Sequence, residues 1–261
     1  MGRPKAWLPW FGKTMVEHVV DTLLPLVDEV IVVTSESLDL PSLDATIVRD
    51  TEPERGPLAG LRDGLSAATT ARIFATSTDA PWLRAAFVDE LFSRGRACAP
   101  VAGGHVQVLS AVYPGEGAPL AAELLDTGRS RPLDLLEALD YEAIDAASLA
   151  SVGAGASAPW DGFNTPGAYL DAVRAVDPEA RCEVELLGRA ALRADEPVVS
   201  LPVGSLGDVL AALPAGADLV EGDRVARRHL VSLGGRDLVR DLTLPIGAGE
   251  RISVLDAQAG G

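Results

Sequence analysis

From Thr14 onward the chain alternates between stretches that repeat apolar residues every three or four positions and short, unbroken apolar runs. Val19, Val20, Leu23 and Leu24 share one helical face, and Thr14 with Glu17 makes a capping-box signature ahead of them, which predicts a helix. Residues 30–34 form a continuous apolar run of strand length, the pattern of a strand covered on both faces. A second strand is expected at 46–48, ending at Asp50. Gly56-Pro57 breaks the chain, and a helix is expected from 58 to about 68, with proline near its first turn. Residues 72–76 predict a further strand, with Asp79 just past its carboxyl end, and a helix follows over 85–93. Residues 97–101 and 106–113 read as strands joined by a turn at Gly103-Gly104. Strands alternating with helices predict a doubly wound, mostly parallel α/β sheet.

Residues 146–159 are rich in Ala, Ser and Gly and read as a loop. A helix is expected over 167–176, and Asp177-Pro178-Glu179 ends it, marking a domain seam between 1–177 and 182–261. Beyond the seam the rhythm changes. Residues 183–187 and 198–201 are strand-like, and Ser205 can cap a helix over 206–213. Residues 229–233, a Gly234-Gly235 turn and residues 252–255 supply later strands. This order predicts a small α+β, ubiquitin-like β-grasp domain.

A chain of 261 residues is comfortable for two domains, and 48% hydrophobic content with 5% aromatic predicts aliphatic cores. A formal charge of −16 argues against nucleic acid, because no basic stripe displaces counterions from phosphates. It would also repel a nucleoside triphosphate unless local cations or a metal reversed the field at one site. Cys98 and Cys182 are too few for a disulfide framework, which predicts a reducing, cytoplasmic setting. No run of eighteen apolar residues and no signal peptide appear, so no membrane association is expected. Gly12-Lys13-Thr14 imitates the end of a phosphate-binding P-loop, but the earlier glycine of that motif falls on Trp7, so a turn is expected. His18, His105 and His229 show no ligand spacing, and nucleophile motifs built on Ser or Cys are absent.

Four stretches bear on chemistry: Met1-Gly2-Arg3-Pro4-Lys5-Ala6, Gly56-Pro57-Leu58-Ala59-Gly60, Thr78-Asp79-Ala80-Pro81 and Phe163-Asn164-Thr165-Pro166. Asp79 sits where a strand meets a loop at the carboxyl edge of the sheet, the usual ligand position in open α/β folds. A carboxylate there can hold Mg²⁺ between phosphates, and Lys5 can neutralise charge on a departing pyrophosphate. The glycines of 56–60 permit close backbone approach to a base or ribose, and Asp50 could bind ring N–H or hydroxyl groups. An aspartate after a strand is equally a turn residue, and a lysine is by default a solvated surface group. In this order the four stretches resemble the nucleotidyltransferases that attach a nucleotide to molybdopterin, over roughly residues 1–175. The 56–60 stretch looks like the guanylyltransferase (MobA-like) branch rather than the cytidylyltransferase branch. The resemblance implies a Rossmann-like domain that transfers GMP from GTP to molybdopterin, releasing pyrophosphate, with Mg²⁺ as cofactor. Lys5 and Asp79 would be catalytic, and Gly2, Arg3, Lys5, Asp50, Gly56, Pro57 and Gly60 would bind nucleotide. Asp79 and Asn164 would hold the metal. This sequence departs from the family pattern at Gly162, where the family tends to carry Asn. The family signature also opens with a strand and a glycine-rich turn before the methionine, so a product starting upstream of Met1 is expected.

The chain ends in Gly260-Gly261 behind an apolar, strand-like run. Two residues without Cβ make a strip thin enough to thread a narrow channel and present a carboxylate for activation, although a frayed terminus is the ordinary fate of last residues. Residues 184–189, 205–213 and 249–254, with the diglycine, resemble the small sulfur-carrier proteins of molybdopterin and thiamine synthesis. That resemblance implies that an adenylating (E1-like) enzyme activates Gly261, that a thiocarboxylate forms there, and that the molybdopterin synthase large subunit receives the sulfur. Two alternatives stand beside the fusion reading. The first domain could be a non-catalytic scaffold for a pure carrier, or it could transfer another nucleotide or a sugar phosphate.

Overall fold

In the computed structural model the unbroken apolar runs become strands and the three-to-four repeats become helices. The structure describes residues 2–152, 157–188, 191–193, 196–213 and 219–256. Gly260 and Gly261 therefore lie outside the described residues, as does Met1. The chain forms two compact units, Val16–Gly162 and Met1–Met15 together with Phe163–Gly261.

Within the first unit the helix α1 (Met15–Leu23) precedes the strand β1 (Ile31–Thr34), which pairs in parallel with β2 (Thr46–Arg49). The helix α2 (Pro57–Ala67) starts at its proline, behind Gly56 in a left-handed conformation (φ 88°), where a residue with a Cβ would be strained. Gly60 and Gly64 lie one turn apart on α2, and an added Cβ would meet Val33 at 3.8 and 3.1 Å respectively. Their missing side chains let α2 settle on β1. The chain continues through β3 (Arg72–Thr76), α3 (Ala85–Ser93), β4 (Cys98–Ala102) and β5 (Ser110–Pro114). Then come α4 (Gly117–Asp126), α5 (Pro132–Ala138) and β6 (Glu142–Asp145).

The described strands of this unit form two sheets, a parallel pair and a mixed set, where one mostly parallel sheet was expected. β1–β2 and β4–β6 are parallel, but β5 runs antiparallel to both β3 and β4. The cause is local. Gly103 and Gly104 both take positive φ and fold the chain into a hairpin, so the following segment returns against β4. The stretch 106–113, expected as one strand, is also divided. Only His105–Val106 pairs across the hairpin, the Ser110 N–H closes a turn on the Gln107 carbonyl, and β5 then lies between β3 and β4. One core holds this together, built from Leu58 and Leu65 of α2, Tyr113 of β5, Leu124 and Leu125 of α4, and Leu135 and Leu136 of α5.

In the second unit β7 (Arg181–Leu187), β8 (Val198–Pro202), α7 (Leu206–Ala211), β9 (His229–Leu233), β10 (Asp237–Val239) and β11 (Arg251–Asp256) follow one another. The sheet order is β8-β7-β11-β9-β10. The first and last strands, β7 and β11, lie side by side in parallel at the centre, flanked by antiparallel neighbours. A mixed five-stranded sheet of this order, with α7 after the first hairpin, is the β-grasp arrangement. Alternation sets its faces: Cys182, Val184 and Leu186 point inward with Val231, Leu233, Ile252 and Val254, against Leu206, Val209 and Leu210 of α7. Ser205 caps α7, and Asp208 returns the bond to the Ser205 backbone, a full capping box. The helix α6 (Pro166–Val176), with Thr165 as its cap, joins this unit. Tyr169, Leu170 and Val173 of α6 share a core with Leu8, Trp10, Met15, Val203 and Ala248. Phe11 and Gly12, both at positive φ, form the two-residue turn of a hairpin pairing Pro9–Trp10 with Lys13–Thr14, so the imitation P-loop is a β-turn.

Asp134, at the start of α5, is only 3% exposed and accepts hydrogen bonds from the side chains of Arg131 (2.7 Å) and Arg129 (3.0 Å). Chiefly the Arg131 guanidinium holds its carboxyl well below the usual carboxylate range. A carboxyl depressed in the folded state contributes stability above its unfolded value near 4, and that contribution is lost as pH falls. Asp134→Asn should therefore lower the melting temperature at neutral pH, with a deficit against the wild type that narrows below about pH 4. A deficit that stays constant through the acid range would show that the charge is not what matters.

Candidate functional site

β3 ends at Thr76, and Ser77, Thr78 and Asp79 carry the chain over the carboxyl edge of the strand into a turn. Asp79 is half-buried, while Ala80 and Leu83 behind it are buried and fix the turn from below. The His18 ring on α1 lies 3.2 Å from the carbonyl of Pro81 and ties the same turn to the helix. Gly162 presses on it from the other side. A Cβ at position 162 would stand 2.7 Å from the Asp79 carbonyl oxygen and 3.1 Å from its Oδ2. Such distances force something to move, so the lack of a side chain at 162 lets this backbone come up against Asp79. The departure visible in the sequence at Gly162 thus has a steric meaning, although nothing in the sequence placed it beside Asp79.

At the end of β2, Asp50 donates its N–H to the Thr34 carbonyl (2.8 Å), and its Oδ1 accepts from the Glu52 N–H (3.0 Å). Its Oδ2 would lie 3.4 Å from a Cβ at Gly60, so Asp50 and Gly60 are brought together. Asp50, Pro57 and Gly60 open on one cavity between β1 and β3. Gly56, next to Pro57 in the chain, faces Ser130, which a Cβ there would meet at 3.5 Å. The loop from β2 to α2 is braced by charge. Arg62 and Arg55 bond Glu52 and hold its carboxyl below the usual range, and Arg62 also pairs with Asp63 at 2.7 Å. This brace was missed from the sequence, where these are ordinary charged residues on a loop and a helix.

The remaining expected residues lie in the second unit. Lys5 Nζ donates to Asn164 Oδ1 (2.6 Å), so the structure brings these two together. Arg3 is committed elsewhere: its guanidinium forms a two-pronged pair with Glu250 and donates to the Pro245 carbonyl (2.7 Å). Gly2, at positive φ, sits against Leu244. The thiols of Cys98 and Cys182 are buried, and burial pushes both up to about 11, which removes them as nucleophiles near neutral pH.

Among the described residues no group of three or more His, Cys, Asp or Glu could hold a metal ion. A single carboxylate such as Asp79 does suit Mg²⁺ that arrives with phosphates, since that ion keeps most of its shell as water and phosphate oxygens.

Comparison with known proteins supplies the class. Residues 1–143 match the model of the MobA-like NTP transferase domain, and the chain belongs to that family. A protein of Mycobacterium bovis described as a probable molybdenum cofactor guanylyltransferase is 33% identical over 149 residues, covering 54% of this chain and 74% of the relative. Molybdopterin-guanine dinucleotide biosynthesis protein A from Archaeoglobus fulgidus superposes with a TM-score of 0.48 at 18% identity, over 58% of this chain and 80% of that one. SAMP1 from Haloferax volcanii superposes with a TM-score of 0.27 at 21% identity, over 31% of this chain and 99% of that one. Among the described residues no helix is long and apolar enough to cross a membrane.

The contact at Gly162 gives a direct test. Gly162→Ala should push the Asp79 turn aside and cost about 1–3 kcal/mol, as overpacking does. Thermal denaturation measures the loss, and amide chemical shifts should change at residues 78–80. Unchanged stability and unchanged shifts there would mean that the turn and the 157–162 loop do not touch.

Proposed function

We propose that the first part of the chain transfers GMP from GTP to molybdopterin, and that the β-grasp domain carries sulfur on its terminal glycine. The observation that carries the first half is the family membership of residues 1–143, together with Asp79 standing at the carboxyl edge of β3. In the transfer, a phosphate oxygen of molybdopterin attacks the α-phosphorus of GTP and a new P–O bond forms. The bond from that phosphorus to the bridging oxygen breaks, and pyrophosphate leaves. Mg²⁺, when bound, would offset the charge of the triphosphate and the departing pyrophosphate. Asp79 would hold that ion with Asn164, and Lys5 would steady the leaving group. Asp50, Gly56, Pro57 and Gly60 would receive the nucleotide, with Gly2 and Arg3 on its phosphate side. For Arg3 this role requires release from Glu250.

The second half rests on the β-grasp strand order, with β11 running out toward the diglycine. In this reading an adenylating enzyme forms an acyl-adenylate at Gly261 from ATP, releasing pyrophosphate. A sulfur donor then displaces AMP to leave a thiocarboxylate, which the molybdopterin synthase large subunit uses. The setting is cytoplasmic.

Pyrophosphate release from GTP in the presence of molybdopterin, compared with CTP and with sugar phosphates, tests the transferase reading. Release with CTP or a sugar phosphate but not with GTP would overturn the guanylyl assignment. Asp79→Asn keeps the volume and removes the anionic ligand, so turnover should fall by at least about a hundredfold while the melting temperature holds. Wild-type turnover by the variant would remove Asp79 from the mechanism. For the carrier, intact mass after incubation with adenylating enzyme, ATP and a sulfur donor should rise by the difference between sulfur and oxygen, confined to the C-terminal peptide. Gly260→Ala should impair that gain with little change in stability. If neither adenylate nor thiocarboxylate forms, the carrier reading fails.

A further inference from the structure

Three carboxylates stand around the loop that leads from β2 into α2: Asp50, Glu52 and Asp63. The arginines beside them go to two of the three. Arg62 donates Nη1 to Glu52 Oε2 (2.5 Å) and Nε to Asp63 Oδ1 (2.8 Å), and Arg55 donates to Glu52 Oε1 (3.0 Å). The remaining Arg62 nitrogen, Nη2, reaches Thr51 Oγ1 at 2.7 Å, on the residue next to Asp50. Asp63 Oδ2 accepts from both the Thr51 N–H (2.8 Å) and its hydroxyl (3.0 Å). The side chains of Arg62 and Asp63 are 15% and 10% exposed, so this fork is largely shielded from water. Asp50 is treated differently. It is half-buried, its Oδ1 takes the Glu52 N–H, and among the described residues no cation pairs with it and nothing donates to its Oδ2.

Arginine seeks carboxylates in a two-pronged pair. A guanidinium released from Glu52 and Asp63 would find Asp50 as the next carboxylate along the loop, and that pairing would close Asp50 to any ligand. What opposes it is the competing charge of Glu52 and Asp63, which fills the rigid fork of Arg62 from either side. A half-buried carboxylate left with an open oxygen and no cation is an acceptor in want of a donor. Gly60 keeps the approach clear, since a Cβ there would stand 3.4 Å from that same oxygen. We propose that Glu52 and Asp63 are positioning residues that hold Arg62 off Asp50. Asp50 Oδ2 thereby stays open for a hydrogen-bond donor of the bound nucleoside, a base N–H or a ribose O–H. The inference rests on the nucleotide reading above and deepens it, because recognition then depends on two carboxylates that do not touch the ligand. A nucleoside edge made of acceptors would meet the Asp50 charge directly, so the same arrangement discriminates against lone pairs presented there.

The test uses the full chain with Mg²⁺ and GTP and reads dissociation constants by calorimetry, with the melting temperature as a check on folding. Glu52→Gln together with Asp63→Asn keeps both volumes and frees Arg62, and should weaken binding at least about tenfold. Adding Arg62→Met removes the intruding cation and should restore affinity to within about threefold of the wild type. A loop that had merely lost its brace would not recover, so a triple variant as weak as the double overturns the inference. If the double variant does not fold, Glu52→Gln alone leaves the Asp63 bonds to Thr51 in place and should weaken binding about threefold, again reversed by Arg62→Met. In an Asp50→Asn background the Glu52 and Asp63 changes should have no further effect, and the full loss appearing there would also overturn it. Inosine triphosphate lacks the base amino group, and a dideoxy GTP lacks both ribose hydroxyls. One of these should bind the wild type at least about fivefold more weakly than GTP and so name the donor, whereas equal affinity of both with GTP would sink the proposal. Undiminished GTP binding by Asp50→Asn would end this inference and leave the transferase reading standing. No GTP binding by the wild type would end both.

Discussion

A strand inside a layered sheet has polar groups on both edges, and in a water-poor interior each edge needs a neighbour. The two units meet this constraint differently. In the β-grasp sheet, β7 and β11 close the centre in parallel and every interior strand has two partners. The outer strands there, β8 and β10, have exposed positions, as edge strands with access to water should. In the first unit, among the described residues, β1 and β3 each pair along one edge only. The core of α2, α4, α5 and β5 also takes in Ala99 of β4, with Ile73 and Ala75 of β3 packed against it, and so backs the β3–β5–β4 set.

Charge sets the second constraint. A chain at −16 must neutralise a triphosphate locally or exclude it. Several of its arginines already pair with its own carboxylates: Arg3 with Glu250, Arg62 with Glu52 and Asp63, Arg94 with Glu90 and Glu142. These pairs shape loops and fasten the N-terminal segment, but they leave those cations committed. In the proposed reaction the charge of the triphosphate would therefore have to be offset from elsewhere than these arginines.

The sequence was legible where one element depends on its own residues. The runs at β1 and β3 and the helices at 57–67 and 85–93 follow from apolar period and punctuation, and so does the capping box at Ser205. It was silent over α4, α5 and β6. There Gly117 and Pro119 blur the start of α4, and Asp134 caps α5 through arginines that precede it. It misjudged strand direction in the mixed sheet, because direction is set by a hairpin at Gly103-Gly104 whose partner could not be read locally. At the candidate site it picked out Asp79, Asp50 and Gly60, and the structure adds the cavity that Asp50 and Gly60 share. It could not give the approach of Gly162 to Asp79, which depends on a loop returning from 83 residues away in the chain.

The placement of α6 is the point at which chain order and physical order part. By sequence it closes the first domain, and Asp177 does end it with a turn in which the Ala180 N–H bonds the Asp177 carbonyl. Its buried face, however, meets Val203 and Ala248 along with Leu8 and Trp10, and the Tyr169 hydroxyl donates to the Pro9 carbonyl at 2.5 Å. Gly247 is placed so that a side chain there would run into that same hydroxyl. The β-grasp sheet has a core of its own on the α7 side, separate from the cluster that α6 joins. What α6 covers is a second, smaller apolar surface formed by Val203 and Ala248. Lys5 and Asn164 are joined on this same unit, so the segment holding two of the residues proposed for nucleotide chemistry is anchored to the packing of the unit that contains the β-grasp sheet.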